Sequence, residues 1–173
     1  MKTKLLLGAL LIGSLSAAQS TNVFSYGFDT SFPTTWITTN QSTPSTVTLW
    51  SKAAYTLSST PIFGGSSSSL PVGQDGGGNS FALVNYTSTT GNNTISNWLI
   101  TEAVDVKDGD VVSFYTRKGT DGTQDYPDRL ELRYSTEATH VTPTGGSAGL
   151  GSFTNLGVSV NPNLQGGFVY PKA

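Results

Sequence analysis

Hydrophobic positions along this chain come in short runs. The first, Leu5 to Leu15, is broken only by Gly8, Gly13 and Ser14. Lys2 and Lys4 precede it, and the small residues Ser16-Ala17-Ala18 follow. This three-part pattern predicts a secretory signal peptide over 1–18, cleaved after Ala18. The apolar run is too short for a bilayer-spanning helix, which takes roughly 20 residues. No second such stretch follows, so no transmembrane span is expected in the mature chain.

After residue 19 the period is that of strands. Val23 to Phe28 reads as a first strand, and Phe32-Pro33 then turns the chain back into extended structure by Ile37. Thr46 to Trp50 alternates weakly. Residues 64–79 are rich in Gly and Ser, cannot bury a core, and read as a surface loop. Ser80 to Tyr86 reads as a strand, Asn97 to Val106 as an apolar extended segment, and Asp108-Gly109 marks a turn. Val111 to Arg117 alternates cleanly. Arg129 to Ser135 does so again, with Leu130, Leu132 and Tyr134 on one face and Arg129, Glu131 and Arg133 on the other. Phe153 to Val160 reads as a later strand, and Phe168 to Tyr170 as the start of another. Short apolar runs split by Gly, Pro, Asn and Asp are the signature of an all-β sandwich or barrel.

Composition narrows the chemistry. Nine Lys and Arg face eleven Asp and Glu, and no basic patch is visible, which argues against nucleic acid as a partner. Without any cysteine, thiol catalysis and cysteine-ligated metal sites are excluded, and a secreted domain must be held by core packing or by another metal. The remaining length suits one domain, 19–173.

The block NWLITEAVDVKDGDVVSFYTR followed by YPDRLELRYS resembles the choice-of-anchor J family of bacterial surface modules, which is close to the cleaved adhesin domains of secreted proteases. Phe28-Asp29 with Pro33 and Trp36 match its opening. Trp98-Leu99-Ile100-Thr101, Ser113-Phe114-Tyr115 and Asp128-Arg129-Leu130-Glu131-Leu132-Arg133 match the rest. The resemblance covers roughly 24–163. Glu102 stands where the family has Pro, and the chain has Asn161-Pro162-Asn163-Leu164 shortly before Ala173, where such domains continue with further strands. The resemblance implies a jelly-roll β-sandwich lacking C-terminal strands, from a protein secreted or held at a bacterial cell surface. A short but complete variant is the other reading.

Modules of this type often hold a structural Ca²⁺, which takes oxygen ligands from carboxylates and carbonyls. Asp29, after the first strand, and Asp121, Asp125 and Asp128, in one turn-rich loop, are the candidate ligands; the alternative is that they are solvated loop acids. Arg129 and Arg133 are candidate forks for a sugar or carboxylate, against a cross-strand charge ladder with Glu131. Trp50, Tyr55 and Tyr126 are candidate sugar platforms, and Trp98 is expected in the core. Gly145-Gly146-Ser147-Ala148-Gly149 fits G-x-S-x-G but lacks the strand and helix of a nucleophile elbow, and His140 is the sole histidine. The sequons at Asn40, Asn85 and Asn92 read as chance in a bacterial protein. The expectation is a non-catalytic binding or adhesion module for an extracellular glycan or protein, with the N-terminal accessory domain of a larger secreted hydrolase or peptidase as the alternative.

Overall fold

The computed structural model describes residues 21–59, 63, 65–119 and 125–167. The expected signal peptide and the expected strand start at 168–170 lie outside those residues. Among the described residues the chain is all-β, with no α-helix. Its strands form three separate two-stranded antiparallel sheets that are not closed into a sandwich.

The first sheet pairs β1 (Ile37–Asn40) with β4 (Asn97–Ile100), in register from Ile37 opposite Ile100 to Asn40 opposite Asn97. β-Branched and aromatic residues fit this pleated, half-covered surface. Ile100 is buried. Beyond β1 the Asn40 amide donates to the carbonyls of Thr46 (3.3 Å), Thr48 (3.1 Å) and Ser88 (2.7 Å), which ties the next loop to the strand end. The Ser88 carbonyl belongs to a 3₁₀ turn over Tyr86–Ser88, capped by Asn85 Oδ1 accepting from Thr87 N at 3.0 Å.

The second sheet is the short ribbon of β2 (Ser51–Lys52) and β3 (Ala82–Leu83). Lys52 Nζ donates to the Asn79 carbonyl at 3.1 Å, and the Asn79 side chain holds both the Tyr55 N–H (3.2 Å) and the Tyr55 carbonyl (2.9 Å). The third sheet pairs β5 (Leu130–Tyr134) with β6 (Asn155–Val160). Leu132 lies opposite Val158 while Arg133 lies opposite Leu156, so Gly157 is the extra residue of a β-bulge.

Several expected strands take another form. At 23–28, Phe28 is left-handed (φ 58°), and the rings of Phe24, Tyr26, Phe28 and Phe32 gather around buried Trp36 at centroid distances of 4.7–6.2 Å. The apolar pattern there serves ring packing instead of a ladder. Residues 46–50 precede β2, and the Thr46 and Thr48 hydroxyls donate to the Thr87 carbonyl. Residues 111–117 belong to no sheet, and Val111 is 87% exposed. Alternation gives a strand one covered face but does not supply the neighbour that its N–H and C=O groups need.

Candidate functional site

The acids come first. Asp29 is exposed, and its Oδ1 accepts from Ser80 Oγ at 2.6 Å. Gly77 packs against the same pair: a Cβ there would lie 2.3 Å from Ser80 Oγ and 3.2 Å from Asp29 Oδ1. Asp125 is engaged differently. Lys118 Nζ contacts its Oδ1, and Oδ2 accepts from Gly167 N at 2.5 Å. The Lys118 hydrogen bond holds the Asp125 carboxyl below the ordinary aspartate range against a smaller upward push from desolvation, with the Gly167 bond and the ammonium charge adding to the lowering. Asp128 goes the other way. Desolvation raises its carboxyl, Lys118 opposes the rise and Asp125 adds to it. Asp121 lies outside the described residues.

This arrangement separates the candidate calcium ligands by chemistry. Ca²⁺ needs about six to eight oxygens around a site that has no competing cation. Asp125 already carries an ammonium, so it does not fit that role. Asp29 is bonded by a neutral hydroxyl beside a glycine-rich backbone and pairs with no cation among the described residues. Among the described residues no group of three or more His, Asp or Glu is placed to hold a metal.

The expected cross-strand ladder is instead a row of pairs along one segment, from Arg129 just before β5 to Arg133 within it. Glu131 Oε2 accepts from Arg133 Nε at 2.7 Å, and Oε1 lies 3.3 Å from Arg129 Nε. Arg133 also donates to the Thr154 carbonyl at 3.5 Å. Both guanidiniums therefore share one carboxylate, and only one net positive charge remains on this face.

The three candidate platforms differ in setting. Trp50 is half-buried, and its indole N–H donates to the Asn97 carbonyl at 3.2 Å, which pins the ring to β4. Tyr126 is 59% exposed, and its carbonyl accepts from Lys118 Nζ at 2.9 Å. Tyr55 has ring neighbours. It stacks on Phe81 (centroids 6.2 Å apart, planes at 26°) and is tilted against Phe63 at 6.0 Å. Trp98, expected in the core, is half-buried with its ring 5.9 Å from Phe153.

Arg117 joins the Tyr55 cluster. Its guanidinium carbon lies over Phe63 and over Phe81, 5.3 Å from each centroid, and its Nη2 donates to the Val72 carbonyl at 3.3 Å. Desolvation raises the Tyr55 phenol above its ordinary value, and the Arg117 charge partly offsets this. Sequence reasoning missed Arg117 because its ring partners come from distant segments, and no local spacing points to them.

Comparison with family models, with curated proteins and with solved structures returns no match.

Proposed function

We propose that this chain is a secreted or cell-surface binding module without catalytic activity, recognising an extracellular glycan or protein. The observation that carries the reading is the aromatic cluster of Tyr55, Phe63 and Phe81 beside the β2–β3 ribbon. Asn79 fixes the backbone of Tyr55 on both sides and Phe63 and Phe81 flank its ring, so a ligand meets a ring already ordered by folding. Rings held this way on a β scaffold suit the apolar faces of sugars. The signal-peptide pattern supports the extracellular setting. The resemblance to surface modules supports a jelly-roll sandwich with a structural calcium, for which Asp29 is the candidate ligand.

A glycan and extracellular-protein array probed with the folded full chain tests the reading. Retention of a defined ligand set, weakened by Tyr55→Ala at unchanged melting temperature, is expected. A cooperatively folded preparation that binds nothing would overturn it, as would turnover of a glycan, ester or peptide abolished by a single Asp or Ser substitution.

A further inference from the structure

We infer that Arg117 is the carboxylate-recognising group of this module, and that the ligand class is an acidic glycan bearing uronate sugars. The inference rests on the binding-module reading above and narrows its ligand.

The cations of this protein are not equivalent. Arg129 and Arg133 are both drawn to Glu131, and Lys118 is spent on Asp125. Arg117 makes no ion pair with any described residue, and it is exposed. Its one hydrogen bond among the described residues, to the Val72 carbonyl, is long and uses one nitrogen. The other N–H groups of the planar fork have no partner among the described residues, and that fork matches a carboxylate bidentately.

Arg117 is also held in place. Its guanidinium lies over two ring faces, where the quadrupole attracts a cation. A side chain fixed by such contacts gives up less rotamer freedom on binding than a free surface arginine. The Phe63 ring also constrains the chain two residues on: a Cβ on Gly119 would lie 2.9 Å from Phe63 Cε1.

The rings decide between ligand classes. A uronate presents C–H groups on the faces of its pyranose and a carboxylate at its edge. One such sugar can therefore pack on the half-buried Tyr55 ring and reach the guanidinium that lies over Phe63 and Phe81. A peptide of acidic side chains alone, such as poly-glutamate, would use the cation and leave the rings unused.

Titration calorimetry on the full chain tests this with defined probes: hexamers of galacturonate and mannuronate, a hyaluronan hexasaccharide, the methyl ester of each, and poly-glutamate. At least one uronate oligosaccharide is expected to bind. Esterified probe should bind it roughly tenfold more weakly or worse, as loss of a charge-assisted fork requires. Arg117→Lys keeps the charge and removes the fork, so it should weaken uronate binding by a similar factor, while Lys107→Gln leaves it unchanged. If Arg117→Lys does not fold, the acid-against-ester comparison on the parent chain decides. The inference fails if no uronate binds, if a uronate and its ester bind equally, if folded Arg117→Lys binds as the parent does, or if poly-glutamate is preferred to every uronate. Binding confined to neutral glycans on the array would overturn this inference and leave the binding-module reading standing; binding of nothing would overturn both.

Discussion

Asn161 reaches back to Asp128: its Nδ2 donates to the Asp128 carbonyl at 2.9 Å, joining the end of β6 to the start of β5. The same amide donates to the Gln165 carbonyl at 3.1 Å, and its Oδ1 accepts from Gln165 N at 2.8 Å. The residue is 1% exposed and left-handed, with φ 54°. Asparagine suits both demands, since its short amide can bond locally and it tolerates positive φ.

Asn161→Ala should therefore cost about 2–4 kcal/mol, because three part-buried hydrogen bonds to backbone groups are lost. Asn161→Gly loses the same bonds without the Cβ strain, and it should retain up to about 1 kcal/mol more despite its freer unfolded chain. Urea unfolding of the two variants beside the parent measures both differences. Equal stability of all three would show that the amide ties nothing.

The Lys118–Asp125 contact predicts an acid-sensitive stability term. The folded carboxyl titrates below its unfolded value, so the contribution is complete above the unfolded aspartate range and is lost as pH falls through the lowered folded value. Asp125→Asn should lower the melting temperature at pH 7 and have no such effect at a pH where the parent carboxyl is already protonated. A melting-temperature difference that is flat across that window would contradict the assignment.

Asp128 carries the opposite sign. Its folded carboxyl titrates above the unfolded value, so the stability it contributes is present below the unfolded aspartate range and is lost as pH rises through the raised folded value. The change in melting temperature caused by Asp128→Asn should thus be more favourable at pH 7 than at pH 3. Thermal scans of parent and variant at the two pH values check the sign.

Trp36 is 9% exposed at the centre of a five-ring cluster with Phe24, Tyr26, Phe28 and Phe32. Trp36→Ala should cost about 3–5 kcal/mol. Its indole N–H is buried without a partner among the described residues, so Trp36→Phe avoids part of that loss. Denaturant midpoints at equal slope would give both values; a near-neutral Trp36→Ala would mean the cluster is not a core.

Calcium gives the last prediction. If Asp29 is the ligand, melting temperature rises with added Ca²⁺ and falls with chelator, and saturation at 100 times Kd corresponds to about 2.7 kcal/mol. Asp29→Asn should abolish the response and Asp125→Asn should leave it. Indifference of the parent chain to calcium removes the metal from the proposal.

Much of the sheet content was legible. The observed β4, β5 and β6 fall inside the segments whose apolar pattern predicts strands, and the polar Arg–Glu–Arg face of β5 follows from the period of two. Residues 23–28 and 111–117 were misread for different reasons. The first spends its aromatic residues on Trp36, and the second has alternation without a neighbour. β1 is mostly Thr and Asn, and its pairing is set by β4, far along the chain. In the candidate site, Tyr55 was readable as an aromatic in a polar stretch. Arg117 was not, because Phe63 and Phe81 meet it only through the folded chain.

The bulge at Gly157 makes the β5–β6 hairpin tolerant of a length change. Removing Gly157 would bring Leu156 next to Val158, and Leu156 would still face Arg133, since the ladder already skips the deleted position. A one-residue deletion, which in a regular strand turns every later side chain over, would here leave the pairing as it was and remove only the local kink. That site is an indel buffer: the chain can shorten there by one residue without exchanging its inner and outer faces.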